Sequence, residues 1–346
     1  MPSIYELDTA KKLAKRWEDK AEEREPYLGE ALFETKKQLG TKLDWFQGRK
    51  PKVRLLSLSS FDAKVIPIGR EGFKTLQTKM PFFKNSMVIN EDQRQDLNNV
   101  MQGGNQQVID AIMNVIFDDK STLLTNASAT REMLRMQLVT TGTIAFANNG
   151  QVIEYDFNVP AENKVTSNWN DLTTADPIAD ITAWQDIASS ATGVTPTRVL
   201  MNKTTAGKFA KMDTVKNAMY VFADGKVAPN SKKARRFIEE ETETTIYVYD
   251  KGYTDEDTGK FVKFIPDDVV VLVPDGVLGD EVFGTTPEES DLMNYAGAEV
   301  SIVDTGVAIT GTKLSDPVNV ETKVSMVYLP VLNDPDSIII ADVKGA

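Results

Sequence analysis

Between Asn105 and Leu138 the apolar residues return at helical spacing. Val108, Ile109, Ile112, Met113 and Ile116 come first, then Leu123, Leu124 and Ala127, then Met133, Leu134, Met136 and Leu138. Steps of three and four put these positions on one stripe of an amphipathic helix. No proline falls between Pro81 and Pro160, and the first strong break is Gly142. The pattern therefore predicts a helix over Gln107–Thr140, roughly 35 residues and about 50 Å long, where an average helix has about a third of that length. Thr143–Phe146 and Val152–Phe157 then alternate as strands about Asn148-Asn149-Gly150, which predicts a β-hairpin at the helix end. A long helix with one apolar face that runs into a hairpin suits a ledge laid across a sheet. It also suits the core helix of a large α+β domain.

Elsewhere the period changes several times. Residues 2–25 read as a charged helix that starts near Ser3 and stops before Pro26, an arm with too little apolar surface to fold alone. Leu28, Leu32, Phe33, Leu39, Leu43, Trp45 and Phe46 form a greasier segment, interrupted at Gly40, that must dock on something. From Val53 to Ile68 the reading is a long strand, with Gly69–Gly72 as its turn and Phe73–Ile89 returning through Met80-Pro81-Phe82-Phe83. A lone two-stranded ribbon is marginal in water, so this hairpin either lies against another chain or forms the edge of an internal sheet.

Asn158–Asp176 is poor in apolar residues and reads as a crossing between domains. Asp176 followed by Pro177 is an N-cap with a first-turn proline, opening a helix through Ile181, Trp184 and Ala188 that ends at Gly193. Arg198–Met201, Thr245–Tyr249, Phe261–Ile265 and Val269–Val273 read as strands, and helices begin after Asn202 and near Asn230. Alternating helices and strands predict a compact α/β domain. The chain finishes in strands near Val300–Val303, Lys323–Tyr328 and Ile338–Val343.

Composition narrows the chemistry. A chain of 346 residues suggests about two domains. It has no cysteine and no histidine, so thiol chemistry, imidazole catalysis and zinc sites built on those ligands are unavailable. No run of 18 apolar residues occurs, and the first 19 residues lack the unbroken apolar core of a signal peptide. The expectation is a protein that does not cross a membrane through a signal of its own. Residues 1–90 carry 18 basic and 12 acidic side chains, leaving 21 and 39 for the rest, so a basic front opposes an acidic body. Because acids are interleaved with the basic residues of the front, a solvated amphipathic helix fits better than a nucleic-acid arm; the alternative is an arm that reaches onto the acidic body of a neighbouring copy.

Three clusters have a chemical reading beside a structural one. Asp255-Glu256-Asp257-Thr258-Gly259 has the acid density of a calcium loop without the EF-hand spacing, and it stands where a hairpin needs a turn. Asp267-Asp268, with Asp275, would be the carboxylates of a hydrolase, or the solvated start of a strand. Lys232-Lys233-Ala234-Arg235-Arg236 would take a phosphate, but Glu239, Glu240 and Glu241 follow on the same helix within pairing distance. No phosphate loop, dinucleotide fingerprint or nucleophile elbow appears.

The order of parts is an arm, a long hairpin, a ledge helix with a hairpin, an inserted α/β domain and a return to strands. It resembles the major capsid proteins of tailed bacteriophages, an α+β fold of the Hong Kong 97 type, and within them the lambda-type phage capsid protein E family. The residues that carry the resemblance are Leu32-Phe33, Asp176-Pro177-Ile178 with Asp180-Ile181, Phe264-Ile265-Pro266-Asp267, and Leu329-Pro330-Val331-Leu332-Asn333-Asp334-Pro335-Asp336. It implies an N-arm over 1–50, an extended E-loop over 51–90, a peripheral domain over 91–160 and 320–346 with a spine helix, and an axial domain over 161–319.

By the same resemblance the chain is a structural subunit, with no catalytic residue, cofactor or metal, that builds an icosahedral head around double-stranded DNA. The implied partners are copies of itself in hexamers and pentamers, a portal protein, a separate scaffolding protein, a decoration protein as a further candidate, and packaged DNA bound without sequence specificity, with no membrane. A separate scaffold, or a leader already removed, is expected because the sequence opens directly on the arm. Virion and host cytoplasm are the implied locations. Contacts between subunits are expected at Trp17, Phe33, Arg70, Glu71, Phe73, Lys74, Phe82 and Phe83. An encapsulin-type cargo shell or a carboxylate-dependent hydrolase is the alternative.

Overall fold

A computed structural model of the chain describes residues 9–47, 74–89, 91, 92, 95, 99, 100, 106–148, 151–220, 229–255, 258–293, 298–315 and 318–345. The expected strand Val53–Ile68, its turn at Gly69–Gly72 and the hairpin turn residues Asn149 and Gly150 lie outside them. Helix α1, Ala10–Asp19, begins at Thr9, whose hydroxyl accepts from the Lys12 amide at 3.3 Å. Ala10, Leu13, Ala14 and Trp17, one helical face, are all buried. Helix α2 runs over Gln106–Thr141, 36 residues, as the periodicity predicts.

The described residues form two compact units, drawn from residues 1–44, 77–132 and 280–330 and from 45–76, 133–279 and 331–346. The change of unit falls inside α2 and not in the polar connector. A continuous helix carries a chain between packed regions without any linker composition, so the sequence shows no sign of it. The polar connector instead belongs to the second unit. It holds strand β7, Lys164–Thr166, and buried Asn163, whose side-chain amide donates to the carbonyls of Asp336 and Ile338 at 2.8 and 2.9 Å. Hydrogen bonds to backbone add to the packing of the segment's few apolar residues, of which Val159, Trp169 and Ala175 are buried.

In the first unit the sheet order is β1–β13–β16–β15–β14, comprising β1 (Phe33–Lys37), β13 (Gly279–Phe283), β14 (Ala298–Val303), β15 (Val307–Ser315) and β16 (Val318–Leu332). Strand β4, Phe82–Val88, adds antiparallel to β16 with Phe82 opposite Val327 and Val88 opposite Glu321. Strands β14 and β15, expected in the axial segment, thus join the sheet built on β16. Helix α1 packs on β14 and β15. Strands β2 (Lys42–Gln47) and β3 (Lys74–Lys79) pair on either side of residues 48–73. A strand is thus present at Lys42–Gln47, ahead of the expected Val53–Ile68, which lies outside the described residues. The descending one is interrupted at Met80-Pro81 before β4, because proline has no amide to give a ladder.

The second unit is built on the sheet β7–β17–β12–β8–β9, with β8 (Arg198–Met201), β9 (Thr245–Val248), β12 (Val269–Val273) and β17 (Ile339–Asp342). The outer pairs are parallel and the inner ones antiparallel. Helix α3, Pro177–Thr192, starts where the Asp176 carboxylate accepts from Ile178 and Ala179 and ends at left-handed Gly193, as the cap signals predict. Helices α4 (Lys203–Ala206), α5 (Asp213–Met219) and α6 (Ser231–Thr242) lie between β8 and β9. Trp169, Trp184 and Phe209 meet in the core, with ring centroids 5.8 and 5.4 Å from Trp169. Trp169 donates to Asp180 at 2.7 Å, which satisfies the indole in that apolar setting. Hairpin β5–β6, Thr143–Asn148 and Gln151–Asp156, follows α2 as expected, with Thr143 opposite Asp156 and Asn148 opposite Gln151. Strands β10 (Gly252–Thr254) and β11 (Phe261–Lys263) pair with each other.

The single apolar stripe describes only the first half of α2. Met113, Ile116, Leu123 and Leu124 are buried there while Val108 and Val115 stay exposed, and the Ile109 and Ile112 side chains lie outside the description. From Arg131 to Thr140 every side chain is buried or half-buried, including Arg131, Glu132 and Arg135. Such charges survive burial because they are paired. Arg131 donates to Asp304 at 2.9 Å and Glu132 accepts from the Gly29 amide at 3.1 Å.

Candidate assembly surface

The root of the β2–β3 ribbon is fixed by backbone hydrogen bonds. The Gln38 amide donates to Phe283 at 2.8 Å, Met80 to Thr41 at 2.8 Å and Thr285 to Gly40 at 2.9 Å, while the Gly40 amide donates to the Thr285 hydroxyl at 3.0 Å. Gly284 makes this crossing possible. A Cβ there would stand 2.6 Å from the Gly40 carbonyl and from Val327, distances no side chain tolerates. Around the root, buried Glu281 accepts from Thr35 at 2.5 Å and from Tyr328 at 3.1 Å, and Lys36 and Lys37 reach Asp280 and Glu289 at 2.8 and 2.6 Å. The hydrogen bond to Asp280 raises the Lys36 pKa against the opposing effect of burial, so that amine stays charged.

What this root presents outward is apolar. Leu39 is 88% exposed at the tip of the turn that Gly40 and Thr285 hold still. On β4, Phe82, Lys84, Ser86 and Val88 share one face by strand alternation, with Phe82 41% and Val88 45% exposed. Strand β4 pairs only with β16 among the described residues, so its other edge offers backbone donors and acceptors. Rigid backbone, exposed apolar side chains and an open edge together make a surface that can take a partner strand or an apolar patch.

The structure separates the expected contact residues. Phe82 lies on this surface and Phe83 is half-buried beside it. Trp17 and Phe33 are 5% and 4% exposed and belong to the core of their own unit. The Trp17 indole donates to Asp304 at 3.3 Å, under the Arg24 guanidinium 3.5 Å from the ring centroid. Lys74 opens β3, and Arg70, Glu71 and Phe73 lie outside the described residues. Leu39 belongs to the greasy segment expected to dock, and only the Gly40 that follows it, a turn signal, sets it apart from Leu32 and Leu43, which are buried.

Several residues of the clusters with a chemical reading are engaged in structural contacts. Asp255 accepts from the Thr258 amide and hydroxyl, both at 2.7 Å, closing a turn. Asp267 accepts from Asn202 at 2.6 Å and Lys263 at 2.9 Å, and the Lys263 hydrogen bond holds its carboxyl below the usual range. Asp268 pairs with Lys208. Arg235 reaches Glu239 at 3.9 Å within α6. Among the described residues no group of three or more acidic side chains gathers as a metal site, and no helix is long and apolar enough to cross a membrane.

No curated protein is matched by sequence. A crystal structure of a phage-related protein from Bordetella bronchiseptica is similar at 13% identity over 97% of both chains, with a TM-score of 0.54. The putative capsid protein of an Escherichia coli CFT073 prophage aligns at 17% identity over 78% of this chain and 80% of its own, with a TM-score of 0.49. The capsid subunit of cyanophage A-1(L) aligns at 14% over 92% of each chain, also with a TM-score of 0.49. The mixed helix and sheet architecture is that of the Hong Kong 97-type shell proteins. The family pattern described as phage major capsid protein E matches residues 9–343, nearly the whole length, and the chain belongs to that family.

Proposed function

We propose that this subunit tiles with copies of itself into the icosahedral head of a tailed phage, in hexamers and pentamers, around packaged double-stranded DNA. Membership in a family of capsid proteins supports shell formation. The observation that carries the contact geometry is the braced root with exposed Leu39, Phe82 and Val88. Apolar residues held out on rigid backbone lose little entropy on docking and gain burial. A neighbouring copy covers the exposed β4 face, Phe82 and Val88, together with Leu39. An acidic body repels phosphate, so the DNA is enclosed without being gripped. The role is structural and not catalytic. A separate scaffolding protein and a portal complete the assembly in the host cytoplasm, and a decoration protein is a further candidate partner. The family favours a genome over an enzyme cargo.

The test is Leu39→Asp with Phe82→Asp in the full chain. The expected outcome is a subunit with unchanged circular dichroism that sediments as small species while wild type forms particles. Wild-type particle yield from the double variant would refute this surface.

A further inference from the structure

Helix α6 carries its charges the wrong way round. Lys232, Lys233 and Arg236 occupy its amino-terminal half and Glu240, Glu241 and Glu243 its carboxy-terminal end, all exposed. The positive end of the helix dipole therefore faces cations and the negative end faces acids, the unfavourable arrangement at both termini. Basic residues ahead of acids is also the weaker order for i, i+4 pairs. The inner face, Ala234, Ile238 and Thr242, is buried, and α6 packs on α3 and α5, so the helix is firmly seated. Arg235 and Glu239 are used internally: they approach each other at 3.9 Å, and Glu239 also accepts from the Ile246 amide at 2.9 Å. The six outer charges have no ion pair within the described residues. Their positions leave one basic and one acidic patch about 12 Å apart along the axis, from the rise of about 1.5 Å per residue.

We infer that α6 is a self-complementary electrostatic contact, the cationic half of one copy lying against the anionic half of the α6 of an adjoining copy. The inference rests on the assembly reading above and names a second surface for it, apart from the ribbon root. A charge order that weakens the isolated helix is repaid when a neighbour supplies the opposite sign at each end. Two copies in this arrangement fix register and reject misaligned neighbours, because a shifted contact sets like charges together. No other partner fits as closely: nucleic acid would be repelled by the acidic half, and an acidic or basic protein by one half or the other.

The test compares three variants of the full chain with wild type. One is all-acidic (Lys232→Glu, Lys233→Glu, Arg236→Glu), one all-basic (Glu240→Lys, Glu241→Lys, Glu243→Lys), and one carries all six changes. Each of the first two should stay folded by circular dichroism and lose at least tenfold in particle yield. Mixing them in equal amounts should restore assembly, since each supplies the sign that the other lacks. The sixfold variant should assemble with itself, refuse to mix with wild type, and melt above wild type because its charges now suit the dipole. Near-wild-type yield from either like-charged variant, or a folded pair that fails to rescue when mixed, overturns the inference. Should a like-charged variant misfold, the sixfold variant decides alone: self-assembly with exclusion of wild type supports the contact, and free mixing refutes it. Wild type failing to form particles would count against the assembly reading instead.

Discussion

Replacing Trp17 by alanine tests whether the amino-terminal helix belongs to its own subunit. The ring is 5% exposed, donates to both carboxylate oxygens of Asp304 at 3.3 Å and lies under Arg24. A tryptophan buries about 150–250 Å², which at about 25 cal/mol per Å² comes to about 4–6 kcal/mol. Substitutions of this kind cost about 3–5 kcal/mol. Asp304 keeps its bond to Arg131, so loss of packing dominates over an orphaned charge. At the lower bound, docking of α1 weakens by a factor of about 100. Hydrogen exchange on the unassembled full chain reads this directly. Amides of α1 and of β14, Ala298–Val303, should lose about two orders of magnitude of protection, while β12 in the other unit keeps its own. Trp17→Phe should recover most of it. Unchanged protection in α1 would refute the reasoning and return the segment to its sequence-level description, an arm whose contacts lie on a neighbour.

Three further outcomes are expected. Asp176→Ala removes acceptors for two amides at the start of α3 and should cost about 0.5–2 kcal/mol, measured by thermal unfolding with Trp184 fluorescence. Gly142→Ala places a Cβ 2.7 Å from the Val159 Cγ2 and 3.0 Å from its Cβ at a φ of +75°, so Val159→Ala should remove the closer contact and leave the tight Cβ contact and the backbone strain, the latter about 1–2 kcal/mol; full rescue or none would contradict that division. Glu288 is buried, which raises its pKa, but hydrogen bonds from Lys323 at 2.6 Å, its own backbone and Ser325 at 2.9 Å prevail and leave it below the usual 4.5. With a depressed folded pKa its contribution is complete above that value and is lost as pH falls through the folded one, so Glu288→Gln should flatten the acid limb of the stability curve, and a limb identical to wild type would exclude the pair as its source.

Local rules in the sequence determined much of this protein. The length of α2 followed from an unbroken helical period with no proline, and α3 from Asp176, Pro177 and Gly193, because caps and breakers act within a few residues. The order of parts was enough for the resemblance that the family match supports. Tertiary structure decided what depends on distant neighbours. Trp17, expected at a contact between subunits, is buried where α1 packs on β14 and β15, and no local pattern shows that Arg131 and Glu132 meet Asp304 and the Gly29 amide, 173 and 103 residues away. Leu39 reads as one residue of a docking segment, and only the hydrogen bonds between Gly40 and Thr285 decide that it is held out. Period and composition report what each residue prefers, whereas burial is set by which remote segment arrives. Pairing across such separations leaves no local signal.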